Sequence, residues 1–286
     1  MSQVIIKDDE VDIVIGALQS DLTSFMEAWR PMFSRFHLII VKDPDLKEEL
    51  KIPGGFNLNL YTKSDMDKVV GLSSSTISFS GYSCRYFGYL MSRKKYIISI
   101  DDDCLPAKDS KGELTDAALK PSARNSRYVD AVLTVPARAM LPLSGINIAF
   151  NNELIGPALL PAFRLAKEGK FRWETVEDIW TGMCAKVVCD HLRLGVKSGI
   201  PYVWRQERGS AVESLKKEWE GVQLMEEVVP FFQSVRLSEA AVTAEDCVAE
   251  IAASVTEQLG HSNPMFARAA ETMVEWIKLW KQVRSQ

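Results

Sequence analysis

Tyr96-Ile-Ile-Ser-Ile-Asp-Asp-Asp103 is the stretch on which the fold turns. A short β-rich run stops abruptly at three acids, which is how a buried strand delivers polar groups to its carboxyl end. Toward the N-terminus, Val11–Ile15 and Leu38–Val41 are two more apolar runs of strand length, the second closed by Lys42-Asp43-Pro44. Leu58–Tyr61 and Thr76–Phe79 read as further strands. Between them, Leu22–Phe33 places Phe25, Met26, Trp29 and Phe33 at helical spacing. Ser64-Asp-Met-Asp67 reads as a capping box opening a short helix, and Tyr82–Met91 fits another. Strands that alternate with helices imply a Rossmann-like α/β core, a mostly parallel sheet with both faces covered.

Toward the C-terminus, strands are expected at Tyr128–Val135, Ile146–Phe150 and near Pro201–Trp204, with a helix over Thr175–Leu192. Beyond that the period is purely helical. Ser210-Ala-Val-Glu213 and Thr243-Ala-Glu-Asp246 read as capping boxes, and Asn263-Pro264 supplies an N-cap with proline in the first turn. Phe266, Ala269, Ala270, Met273, Ile277 and Trp280 fall on one face. The expected division is a core over residues 1–208 and a C-terminal helical region over 209–286.

Composition narrows the partners. With 286 residues, 47% hydrophobic and 25% charged, the chain can bury a sizeable core. A net charge of -4 argues against nucleic acid or an anionic membrane, which attract basic faces. An anionic small ligand then requires a site that gathers cations or a metal. Met1–Glu10 shows no secretory leader, and no run approaches a spanning helix. Five cysteines without a C-x-x-C pair predict reduced thiols, with Cys184 and Cys189 in the core. Three histidines are too few for a multi-imidazole zinc site. Neither G-x-G-x-x-G nor a P-loop lysine motif is present.

The residues that can carry chemistry cluster at strand ends. Asp101 and Asp103 are candidate ligands of a hard divalent cation, Mn2+ or Mg2+, which bridges and neutralises a diphosphate that carboxylates alone repel; Asp102 joins them on the substrate side. The plainer reading of the triplet is a solvated acidic turn or a helix cap. Asp43, after the second strand, and Asp12, within the first, are candidates to accept a hydrogen bond from a uracil or ribose; Asp43-Pro44 is equally an ordinary turn. Arg85, in the first turn of its helix, could meet an anion, or could be a surface arginine. Glu177 and Asp178 open the long helix; they either satisfy its dipole or face the sugar as base and electrostatic stabiliser.

In combination these residues resemble the GT-A glycosyltransferase plan: a strand with Asp43, a helix with Arg85, a strand with Asp101-Asp102-Asp103, two further strands, then Glu177-Asp178. More narrowly, the chain is similar to the plant reversibly glycosylated polypeptides, the UDP-arabinopyranose mutases. Glu27-Ala-Trp-Arg-Pro31, His37-Leu-Ile-Ile-Val41, Lys95–Cys104, Arg127-Tyr-Val-Asp-Ala-Val-Leu-Thr134, Val188-Cys-Asp-His-Leu192, Gly195-Val-Lys197, Leu215-Lys-Lys217 and Pro230-Phe-Phe-Gln-Ser234 carry the likeness. It implies interconversion of UDP-L-arabinopyranose and UDP-L-arabinofuranose for cell-wall polysaccharide, with manganese or magnesium. It also implies assembly with copies or other family members, in the cytosol and at the cytosolic face of the Golgi, as a peripheral protein.

One stretch departs from the family. Asp116-Ala-Ala-Leu-Lys-Pro-Ser-Ala-Arg-Asn125 joins the acidic loop almost directly to the Arg127 motif, where family members carry a sizeable segment that includes a glycosylated arginine. The chain is therefore expected to be shortened around 105–126, with no counterpart of that arginine, so that nucleotide binding survives while ring contraction is impaired. The readings that follow are a mutase, a non-catalytic family member acting as an assembly subunit, and an ordinary glycosyltransferase.

Overall fold

The computed structural model describes residues 6–71, 76–106, 133–143, 145–163, 177–199, 203–205 and 210–285. Along the chain, β1 (Val11–Ala17) leads through α1 (Thr23–Ala28) and α2 (Arg30–Phe33) to β2 (His37–Lys42). β3 (Leu58–Tyr61), α3 (Lys63–Val70) and β4 (Ile77–Ser78) follow, then α4 (Cys84–Met91), β5 (Tyr96–Asp101) and β6 (Cys104–Pro106). After β7 (Leu133–Thr134) come β8 (Asn147–Asn151), α5 (Asn152–Ile155), β9 (Ala162–Phe163) and α6 (Glu177–His191). β10 (Lys197–Ser198), β11 (Val203–Arg205) and the helices α7 (Ala211–Ser234), α8 (Ala244–Gln258) and α9 (Pro264–Arg284) complete it.

The main sheet has the order β3-β2-β1-β5-β8; the first four run parallel and β8 lies antiparallel on the edge. Register aligns the carboxyl ends, with Gly16 opposite both Val41 and Asp101. Alternation along the strands separates two cores. Ile13, Ile15, Leu38 and Ile40 face α1 and α2 with Phe25, Met26, Trp29 and Phe33. Val14, Ile39 and Val41 face α4 and the C-terminal helices. α4 comes so close that a Cβ on Gly88 would lie 2.5 Å from Val14 Cγ1, which fixes the helix-to-sheet distance at the site.

The C-terminal helices share this second core. The Trp276 indole donates to the Pro157 carbonyl at 3.1 Å and packs edge-on against Phe79, while Trp180 meets Phe232 and Phe266. Cys184 and Cys189 lie on the buried face of α6, and all five cysteines are buried and unpaired. The expected face of α9 is buried throughout, and Thr243 and Asn263 cap α8 and α9 as their sequences require. No described helix is long and apolar enough to cross a membrane.

Local chemistry moves several boundaries. The helix expected over Leu22–Phe33 is two helices, because Pro31 lacks the N–H that a continuous helix would bond to Glu27. α3 is capped by Thr62 with Asp65, rather than by Ser64 with Asp67. Tyr82 sits outside α4, in a 3-10 turn entered through Gly81 at φ 63°. Ser210 precedes α7 but makes no capping hydrogen bond. Most of the expected strand Tyr128–Val135, the start of that near Pro201 and residues 105–126 beyond Pro106 lie outside the described residues.

Candidate active site at the carboxyl end of the sheet

The acidic triplet sits where β1, β2 and β5 end together, and each of its side chains takes a different partner. Asp101, the last residue of β5, meets Arg85 with Oδ1 2.9 Å from Nη1. The contact is ionic rather than an aligned hydrogen bond, and among the described residues neither atom has a hydrogen-bond partner. Asp102 Oδ2 accepts the backbone N–H groups of Leu18 and Gln19, both at 2.8 Å. Its Oδ1 accepts from the Tyr82 hydroxyl at 3.3 Å, and its carbonyl from the Gln19 amide at 3.0 Å. Asp103 Oδ2 accepts from Arg205 Nε at 2.8 Å.

Arg85 is held from several sides. Nε donates to the Tyr82 carbonyl at 2.7 Å, and a Cβ on Gly145 would fall 1.9 Å from Nη1, so that glycine leaves the room the guanidinium fills. Tyr82 stands between two cations, its ring centroid 5.3 Å from Arg85 Cζ and 5.9 Å from Arg205 Cζ. β11 brings Arg205 there by pairing antiparallel with β6, Arg205 opposite Cys104.

Burial governs the charges. It pushes Asp101 up to about 6, Arg85 opposing and Asp103 adding to the shift. Burial works against the charge on Arg85, but Asp101 and its other acidic neighbours outweigh it and hold the group above its ordinary range. Asp102 is raised by burial, and Tyr82 is raised by burial and then by Asp102. At the start of α6, burial raises Asp178 while Arg85 pulls it back down. Glu177 is buried, and its charge raises Tyr86 after burial itself. The acids of β5 and of α6 therefore share the field of one guanidinium.

Two expectations are corrected. Asp12 lies at the amino end of the sheet, opposite Ile97 and His37 in register, four residues from the carboxyl edge. There it accepts from Ser92 Oγ at 2.6 Å and pairs with His37 Nδ1 at 2.8 Å, so it is a buried structural acid remote from the triplet. Asp102 is spent on the main chain after β1, where it fixes the triplet loop instead of facing a ligand. Asp43 stays at the carboxyl edge, accepting the N–H of Gly81 at 3.1 Å and of Asp45 at 3.1 Å. Arg85, expected at an anion or on the surface, is interior. Tyr82, Gln19 and Arg205 join the site without a sequence motif to announce them. Gly81 signals a turn at Tyr82, whereas nothing local marks Arg205, whose partner Asp103 lies 102 residues earlier in the chain.

A cation site can be tested against these donors. Among the described residues no three His, Cys, Asp or Glu side chains converge on one point. Two carboxylates suffice for a hard ion that completes its coordination with water and phosphate oxygens, and Asp101 and Asp103 are of the right chemistry. The donor set fits once Arg205 gives up Asp103, with Arg85 remaining against Asp101.

Strand-end acids on a mostly parallel sheet, with arginines set against them, define an α/β protein with a cluster of charged side chains at the carboxyl edge of its sheet. The reversibly glycosylated polypeptide family model matches residues 6–119 and 114–285. "Probable UDP-arabinopyranose mutase 5" of Arabidopsis thaliana is 54% identical over 347 residues, covering 100% of this chain and 99% of that one. "Probable inactive UDP-arabinopyranose mutase 2" of Oryza sativa subsp. japonica is 51% identical, covering 98% of each. "Probable UDP-arabinopyranose mutase 1" of Pisum sativum is 36% identical, covering 97% and 92%. This chain belongs to the reversibly glycosylated polypeptide family. The alignment of 347 positions against 286 residues leaves relatives with positions that have no counterpart here, and the two family matches meet at 114–119, inside the expected shortening. A crystal structure of S. aureus TarS 1-349 with UDP-GlcNAc overlaps at a TM-score of 0.41 and 11% identity, covering 98% of this chain and 92% of that one.

Proposed function

We propose that this chain is a UDP-arabinopyranose mutase, interconverting UDP-L-arabinopyranose and UDP-L-arabinofuranose for plant cell-wall polysaccharide. One observation carries the reading: Arg85 pairs with Asp101 and its field reaches Asp178, so one cation links the strand-end acids to the acids of α6. Relatives named as probable UDP-arabinopyranose mutases support it.

Asp101 and Asp103 would hold a hard divalent cation, Mn2+ or Mg2+, which would supply positive charge to offset that of the diphosphate. In ring contraction the C1–O5 bond breaks and a C1–O4 bond forms, a proton passes from O4 to O5, and the diphosphate oxygen returns to C1 to restore the anomeric bond. Asp178, raised by burial, is the group to hold that proton, with Glu177 beside it as an electrostatic stabiliser. Asp43 is the acceptor for the uracil or ribose. The protein works with copies of itself or with other family members, in the cytosol and at the cytosolic face of the Golgi.

A second reading has its own support. The rice relative is named as probably inactive, and the chain lacks a stretch that its relatives carry. Here it binds UDP-sugar weakly and serves as an assembly subunit. Purified protein, Mn2+ and UDP-L-arabinofuranose, followed by chromatography, separate the two. Pyranose formation establishes the mutase; UDP binding without conversion establishes the subunit.

A further inference from the structure

Two arginines neutralise the acidic triplet, and they differ in their freedom to leave. Arg85 is buried to 5% exposure, tied through Nε to the Tyr82 carbonyl and packed against Gly145. Arg205 reaches the site from the end of β11, with its side chain 41% exposed and its Nε on Asp103. Its backbone is fixed by the pairing with β6 and its guanidinium rests beside Tyr82, so it can swing without disturbing the core.

We infer that Arg205 is a two-position residue, capping Asp103 while the site is empty and passing to the ligand's diphosphate when a cation takes that carboxylate. The inference rests on the UDP-sugar reading above. Its physical basis is charge balance. A carboxylate at 2.8 Å from a guanidinium is a poorer metal ligand than a free one, so Arg205 competes with the cation for Asp103. Once displaced, the planar guanidinium matches two phosphate oxygens and lies within a side chain's reach of any anion held over Asp103. Arg205 thus makes metal and diphosphate arrive together: the ion alone must evict it, whereas the ion with its diphosphate gives it a new partner. Its role is to position the diphosphate.

Opposite shifts on two probes test this. Calorimetric titrations use the full chain with MnCl2 alone, with UDP in the presence of Mn2+, and with uridine, for wild type, Arg205→Gln and Arg205→Lys. In Arg205→Gln, Mn2+ alone should bind up to about fivefold tighter, the scale of an exposed ion pair. UDP should bind roughly ten- to a hundredfold weaker, the scale of a lost charged hydrogen bond. Uridine should be unaffected, and Arg205→Lys should recover part of the UDP affinity. Unchanged UDP binding, or Mn2+ and UDP affinities falling together as in general misfolding, overturns the role of Arg205 alone. A wild-type chain that binds no UDP overturns the UDP-sugar reading and this inference with it.

Discussion

Arg85 Nη1 and Asp101 Oδ1 lie 2.9 Å apart at the end of β5, both shut from solvent. The pair joins α4 to the sheet at the level where the parallel strands stop. Burying either partner alone would leave an uncompensated charge, so the contact restrains the fold as well as the site.

Arg85→Ala should therefore lower unfolding stability by about 3–5 kcal/mol, since it strands Asp101 in the interior. Chemical denaturation with the slope held constant measures it. A loss below about 1 kcal/mol would mean that the Asp101 pocket is already hydrated.

Gly145→Ala should cost about 1–3 kcal/mol, the scale of overpacking, because the new methyl falls on the Arg85 guanidinium. UDP affinity should fall with it. If stability and affinity both match wild type, Arg85 has another place to go.

Asp178→Asn keeps the shape of the α6 start but cannot take a proton. Turnover of UDP-arabinofuranose should drop by about 10²-fold or more, while the dissociation constant for UDP stays within a factor of about three. Equal losses in both would reassign Asp178 to binding.

Cys189 is pushed up to about 11 by burial and then by the Asp190 charge, and Cys247 to about 11 by burial and then by Asp246. Both values exceed those of unfolded thiols, so folding favours the protonated form. That stabilisation is full below about pH 8.5 and is lost as pH rises toward 11. Native protein should react slowly with Ellman's reagent at pH 8, and five thiols should appear in guanidinium chloride. Fast labelling of the native chain would contradict the burial.

Thr243 accepts from the Asp246 N–H at 3.1 Å while the Asp246 carboxylate accepts the Thr243 N–H at 3.2 Å. Thr243→Ala should cost about 0.5–2 kcal/mol in thermal or chemical unfolding and leave UDP binding unchanged. A loss of binding would tie α8 to the site.

Much of the architecture was legible because its signals are local. Apolar runs of strand length mark β1, β2 and β5, and the alternation of Ile13 with Val14 assigns faces because side-chain direction follows backbone period. Thr243 and Asn263 announce their helices because capping is settled within three residues. Pro31 shows the limit: its missing N–H splits a helix whose apolar spacing reads as continuous.

The sequence by itself determined the parallel α/β core, the acids at its strand ends, the helical C-terminus and, through its motifs, the family. Only the tertiary structure decided what each acid does. Asp12 and Asp101 sit on neighbouring strands of similar composition, yet one closes against His37 and Ser92 and the other against Arg85. Arg205 reaches Asp103 across 102 residues of sequence, a distance over which no periodicity carries information. Local rules set the direction of a side chain; its charge partner is set by whichever distant segment packs beside it.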